Sequence, residues 1–224
     1  MIDTDKYEPQ NHDEIFYGNT ESKLRVEDIV SGATPFPAFG KCGILIFGTF
    51  GTGKTALARM LPAEIESGKT HQELAMPFEF IRCKQGFTGP QVMSLLEKVL
   101  SKVSLNSSGL HYVVLDEVDH LTPLAQRSLK SVMNSEHTIF VLTTNYLNEI
   151  DKGVINRSVL VELNAASHQQ LAGHIQRITA DLNVVLNDSE ITDIVESSRG
   201  SVRDATHDAI RRANRKLRDI APIG

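Results

Sequence analysis

"GTFGTGKT", residues 48–55, follows the apolar run "CGILIF" (residues 42–47) and precedes the helix-like run "ALARMLPAEIE" (residues 56–66). Gly48, Gly53, Lys54 and Thr55 fit the pattern G-x-x-x-x-G-K-[ST], placed between a strand and a helix as its mechanism requires. Glycines let the backbone of Thr49, Phe50, Gly51 and Thr52 turn with its N–H groups inward. The N-terminus of the next helix adds the positive end of its dipole, so the loop cradles a polyphosphate. Lys54 is expected to neutralise the β and γ phosphates and Thr55 to place its hydroxyl on Mg²⁺.

Working outward from this turn, five short apolar runs stand at residues 43–47, 78–83, 112–116, 138–143 and 159–163. Most are continuously apolar, as strands covered on both faces are. Helical patterns lie between them. Thr88 and Gln91 form a capping box ahead of an apolar stripe on Val92, Leu95, Leu96, Val99 and Leu100, and Thr122–Pro123 opens another helix. The alternation predicts an α/β fold: a parallel five-stranded sheet flanked by helices, with ligands at the carboxyl ends of its strands.

Beyond Leu163 the pattern turns helical throughout. Ser167 with Gln170 caps a helix carrying Leu171, Ile175, Ile178 and Leu182 on one face, Asn187 with Glu190 starts the next, and a third runs from about Ser201 to Arg218. The expected organisation is a nucleotide-binding domain over residues 1–164 and a small three-helix domain over residues 165–224 that leans on it.

A site that hydrolyses a nucleotide needs a metal-holding carboxylate and a group that orients water. In "HYVVLDEVDHL" Asp116 ends a buried strand, where a carboxylate reaches the metal, and Glu117 follows where it can polarise the attacking water. His120 receives no role. The run "TIFVLTTNYLNEI" places Asn145 at a strand's carboxyl end, where an amide can donate to phosphate and accept from water; Thr144 competes for that place.

The totals narrow the class. With 224 residues, 41% hydrophobic and 23% charged, the chain can bury a sizeable core. It has no stretch suited to spanning a membrane and no export signal at its start, so a soluble, cytoplasmic protein is expected. Cys42 and Cys83 fall in predicted strands and read as buried thiols. A net charge of −5 offers no overall basic field, so contact with nucleic acid needs a local patch or an assembled ring. The last helix offers one such excess, Arg211, Arg212, Arg215, Lys216 and Arg218 against Asp208 and Asp219.

Together these residues resemble an AAA+ ATPase, and three stretches resemble clamp loaders of the replication factor C type. "KYEPQNHDEIFYGN" is similar to that family's N-terminal motif, with Glu8 in place of its arginine. The likeness implies that Tyr7, Pro9 and Ile15 line the adenine pocket; read without it, residues 1–25 are a polar arm. "DKGVINRSVLVEL" is similar to the family's serine-arginine-cysteine segment, with Asn156 and Ser158 where serine and cysteine are usual. It implies that Arg157 reaches a neighbouring subunit's γ-phosphate. "GSVRDATHDA" resembles the sensor-2 motif and implies that Arg203 reaches the phosphates from the lid.

The resemblance spans roughly residues 4–218 and implies ATP and Mg²⁺ as cofactors, an oligomeric ring or spiral, DNA as cargo and a sliding clamp or other replication protein as partner. It makes Lys84, Arg127 and Lys130 candidate DNA contacts inside a ring. Family subunits continue into a helical collar, whereas this sequence runs to Gly224 just past the lid, so a chain lacking the collar is expected. Two alternatives stand beside the clamp-loader reading. One is a DNA-coating AAA+ regulator, such as a helicase loader or transposition factor. The other is a module that binds ATP without cleaving it, against which Glu117 speaks.

Overall fold

A computed structural model describes residues 5–220 of the chain. Five parallel strands, β1 (Gly43–Gly48), β2 (Glu79–Arg82), β3 (His111–Asp116), β4 (Thr138–Thr144) and β5 (Ser158–Leu163), form one sheet in the order β2-β3-β4-β1-β5. The helices are α1 (Thr20–Val30), α2 (Lys54–Thr70), α3 (Gly89–Leu100), α4 (Pro123–Val132), α5 (Lys152–Asn156), α6 (His168–Asp181), α7 (Asp188–Ser198) and α8 (Val202–Ile220).

Strand periodicity sorts the core. Ile44, Ile46, Val114 and Val141 face one side with Leu57, Leu61 and Ile65 of α2. Leu45, Val113, Leu115, Phe140 and Leu142 face the other with Leu96 of α3 and Leu129 of α4. Side chains pointing alternately to two covered faces explain why the runs read as continuously apolar. Register then decides what meets at the upper edge. Phe47 pairs with Thr144 and Leu115 with Leu142, so the ends of β1, β3 and β4 finish level. The chain leaves β1 for the far edge at β2 and returns through β3 and β4 to β1's other flank, which opens a crevice at those ends.

The caps form as read. Thr88 N donates to Gln91 Oε1 at 2.9 Å, Thr122 Oγ1 accepts from Ala125 N at 3.2 Å, and Ser167 and Asn187 make capping boxes with Gln170 and Glu190. Helices α6, α7 and α8 share their own apolar cluster, in which Ala205, Ala209 and Ala213 present a flat, fully buried stripe of α8 to Leu171, Ile175, Ile178 and Ile194. Repetition every four residues keeps the three alanines on one face and lets the helices approach closely.

Two expectations need correction. Cys42 lies one residue before β1 and Cys83 one residue after β2, so neither stands within a strand. Both thiols are nonetheless free and buried, and burial pushes their pKa values up to about 11 and about 12. The N-terminal stretch is also not a loose arm from residue 5 onward. His12 N donates to Glu64 Oε1 of α2 at 3.0 Å, Ile15 is buried in the sheet's core, and Tyr7 sits in the three-helix cluster with its hydroxyl donating to Asp181 Oδ2 at 2.6 Å. Residues 1–4 of the expected arm lie outside the described residues. Among the described residues no helix is long and apolar enough to cross a membrane.

Candidate nucleotide site

The crevice is a cavity of about 640 Å³ walled by the glycine-rich loop, the residue 7–16 segment, the ends of β3 and β4, and helices α6 and α8. The loop's shape depends on its glycines. At Gly48, φ is +134° and a Cβ would stand 2.1 Å from Leu163 O; at Gly51, φ is +72° and a Cβ would stand 2.1 Å from Ser201 Oγ. Only a residue without a side chain can turn at these left-handed angles with Leu163 backbone and the Ser201 side chain so close.

Lys54 is 8% exposed, and its Nζ donates to Gly48 O at 3.1 Å and to Thr49 O. Burial, and then the charge of Arg203, lower its pKa to about 8. A buried cation with a second, exposed one on the same cavity wall makes a place where an anion is favoured. Arg203 reaches this place because α8 starts on the loop: Val202 N and Arg203 N donate to Gly51 O at 3.0 and 3.3 Å.

At the end of β3, Asp116 is 1% exposed, and its Oδ1 accepts from Thr55 Oγ1 at 2.8 Å and from Thr143 Oγ1 at 2.7 Å. Arg82 Nε stands 3.6 Å from the other oxygen. A hydroxyl and a carboxylate oxygen side by side beneath the phosphate cradle suit Mg²⁺, which takes few protein oxygens and completes its shell with water and phosphate. Among the described residues no cluster of three or more His, Cys, Asp or Glu suggests another metal site. Glu117 takes a left-handed conformation, φ +61° and ψ +54°, with its N–H donating to Thr143 Oγ1 at 2.9 Å. That turn brings its half-buried side chain to the wall of the cavity that Asn145 also lines.

Tertiary structure separates the two candidates at the end of β4. Thr144 is fully buried, donating to Asp119 Oδ1 at 2.6 Å and accepting from Tyr146 N at 2.9 Å, whereas Asn145 faces the cavity. Tyr7, Pro9 and Ile15 also line the cavity, although the Tyr7 hydroxyl is committed to Asp181.

Arg157 lies elsewhere. It precedes β5, whose Ser158 pairs with Gly43 at the lower end of β1. The five residue steps up to Gly48 are about 16 Å of strand, beyond the reach of an arginine to its own cavity. Its backbone carbonyl accepts from Cys42 N and Gly43 N, and its side chain donates to Asn134 Oδ1 at 2.9 Å and Gly153 O at 3.1 Å. The DNA candidates are also outside the cavity. Lys84 and Arg127 are exposed, and Lys130 Nζ lies 3.9 Å from Asp151 Oδ1. On α8, Arg211, Arg212 and Lys216 pair with Asp208, Asp193 and Glu190, which leaves Arg215 and Arg218 as the exposed remainder of the expected basic excess.

Sequence reading missed Thr143, which joins Asp116 to Glu117, and Arg82, His174, Arg177 and Thr206. Thr143 had a legible signal, as the residue before last in a strand leading to Asn145. The others are brought in by register and helix packing alone.

A parallel sheet covered on both faces, with a glycine-rich loop, buried lysine and strand-end carboxylates at its crevice, defines a P-loop nucleotide-binding protein. The chain belongs to the ATPase family associated with various cellular activities (AAA), whose match covers residues 44–164. It is 26% identical over 205 residues to "Replication factor C small subunit 2" of Pyrobaculum islandicum, covering 90% of this chain and 60% of that protein. It is 27% identical over 205 residues to "Replication factor C small subunit" of Thermoplasma acidophilum, covering 90% and 61%. The chain thus spans about three fifths of the length of these relatives. Among solved structures its fold is similar to a mutant RuvB of Thermotoga maritima, with a TM-score of 0.74, 18% identity, and 96% of this chain and 68% of that one covered.

Proposed function

We propose that the chain binds ATP with Mg²⁺ in this cavity and hydrolyses it at the junction between subunits, as part of a clamp-loader-like assembly acting on DNA. The observation that carries the reading is the division of groups between two ends of the sheet. Lys54, Thr55, Glu117, Asn145 and Arg203 line one cavity, with Asp116 directly behind Thr55 and bonded to it, while Arg157 stands about 16 Å of strand away at the opposite end. Such an arginine serves a neighbour's cavity and not its own.

In this reading the nucleotide-binding domain runs to residue 164, with the described part of residues 1–25 along its base side, and the described residues from 165 to 220 form the lid. Lys54 and Arg203 hold the β and γ phosphates, and Tyr7, Pro9 and Ile15 border the base. Thr55 and Asp116 would hold Mg²⁺, which would supply neutralisation of the phosphate charge when bound. Glu117 accepts a proton from water as the water oxygen bonds to the γ phosphorus, and Asn145 holds that water and a γ oxygen. The bond to the bridging oxygen breaks and its electron pair leaves with ADP. Arg157 of the adjacent copy stabilises the charge that develops. Loss of the γ-phosphate removes the anion that Arg203 faces, which frees the lid to change angle and loosens the assembly.

The test is specific ATPase activity measured across a dilution series with and without DNA. Activity per molecule is expected to fall on dilution and to rise with DNA. A rate independent of concentration removes the shared site. Electron microscopy of the ATP- and DNA-bound protein separates a short open spiral, expected here, from the long filament of a DNA-coating regulator and from unassembled monomers.

A further inference from the structure

The base-side wall of the cavity contains a buried histidine that none of the steps above employs. His174 of α6 is 6% exposed, and the ring of Phe16 meets its imidazole edge-on with centroids 5.9 Å apart. Its Nε2 lies 2.8 Å from Thr206 Oγ1, and its Nδ1 lies 3.3 Å from Arg177 Nη2. Thr206 Oγ1 in turn donates to Val202 O at 2.8 Å. The directions of these bonds follow from the groups themselves. A guanidinium only donates, so Nδ1 must accept and carry no proton; Nε2 therefore bears the hydrogen and donates to Thr206, whose own hydrogen goes to Val202 O. Burial, and then the charge of Arg177, lower the imidazole pKa to about 4, so this neutral tautomer persists at physiological pH.

The result is an unbroken run from the exposed guanidinium of Arg177, through His174 and Thr206, to the first turn of α8. That turn is held on its other side by Gly51 O, which accepts from both Val202 N and Arg203 N. We propose that His174 is a positioning residue: its neutral imidazole ties α6 to the first turn of α8 and so holds Arg203 at the level where the lid meets the terminal phosphate. Through the same bonds, displacement of Arg177 at the base side of the cavity is transmitted to Arg203 at the phosphate side. This rests on the reading of the cavity as an ATP site.

The test measures the preference for ATP over ADP, as the ratio of their dissociation constants, in the full chain. Arg203→Ala is expected to abolish the preference and sets the floor. Thr206→Val, which keeps the side chain's shape and removes its hydroxyl, is expected to reduce the preference about five- to tenfold, as loss of one buried hydrogen bond does. His174→Phe should do the same, while Thr206→Ser and His174→Gln, which keep a donor or acceptor in place, should restore it. Adding Thr206→Val to Arg203→Ala should cost nothing more, because both act through one arginine. An unchanged preference in Thr206→Val, alongside a lost one in Arg203→Ala, overturns the proposal while leaving the ATP reading intact, whatever the variant's melting temperature. If His174→Phe fails to fold, the Thr206 pair carries the same test. A wild-type chain that binds neither nucleotide sinks the ATP reading and the proposal with it, while an Arg203→Ala chain with full preference overturns the proposal alone.

Discussion

Raising the pH from neutrality to 9 should weaken ATP binding by about tenfold, through the deprotonation of Lys54 alone. In the free protein, burial and the nearby Arg203 lower this lysine to about 8 from an ordinary value of 10.5. Between phosphate oxygens its charge gains partners, so its pKa in the complex returns to the ordinary range or above. The charged fraction of the free protein is then about nine tenths at pH 7 and about one tenth at pH 9, and binding selects the charged form. Each further pH unit, up to the pKa of the complex, costs another factor of ten, or about 1.4 kcal/mol. The shift in fold stability has the opposite sign. The unfolded lysine keeps its proton above pH 8, so the unliganded fold gains stability from about pH 8 up to about 10.5. The assay is calorimetric titration of ATP in EDTA at pH 7, 8 and 9, in buffers of differing ionisation heat. At pH 9 about 0.9 proton should be taken up per ATP bound. Arg203→Ala should move the midpoint upward by removing the second cation. A dissociation constant that stays level from pH 7 to 9, with no proton uptake, refutes the placement of Lys54 against phosphate.

Arg157→Ala should leave the ATP dissociation constant within about twofold and lower turnover of the assembled protein by about 10³-fold, the scale of an arginine supplied by a neighbour. Normal turnover in that variant removes its role in trans. Glu117→Gln should bind ATP normally and accumulate the ATP-bound assembly on a sizing column, with hydrolysis nearly abolished; an unaltered rate means another group orients the water. A structural prediction concerns Glu66, fully buried on α2 and accepting from Ser108 N at 2.9 Å, Ser108 Oγ, and Tyr112 OH at 2.9 Å. Tyr112→Phe removes one of these donors and should cost about 1 kcal/mol, whereas Glu66→Ala strands all three and should cost about 3 kcal/mol or more in urea unfolding. Equal losses would show that the carboxylate is not what those donors require.

What the amino-acid order determined by itself is whatever depends on near neighbours. The spacing from Gly48 to Thr55, the apolar runs of the five strands, and the caps at Thr88, Thr122, Ser167 and Asn187 are local patterns, and backbone sterics and hydrogen bonding act over the same few residues. They sufficed for the phosphate cradle and for an α/β sheet followed by helices. Only tertiary structure decided which side chains share a space. Strand register turned Asn145 toward the cavity and buried Thr144, and set Thr143 between Asp116 and Glu117. Parallel pairing of β5 with β1 carried Arg157 to the far end, and packing of α6 on α8 joined His174 to the turn bearing Arg203. Residues dozens of positions apart meet only when the whole core closes. Their contacts depend on packing over two faces of a sheet, which no local window of sequence contains.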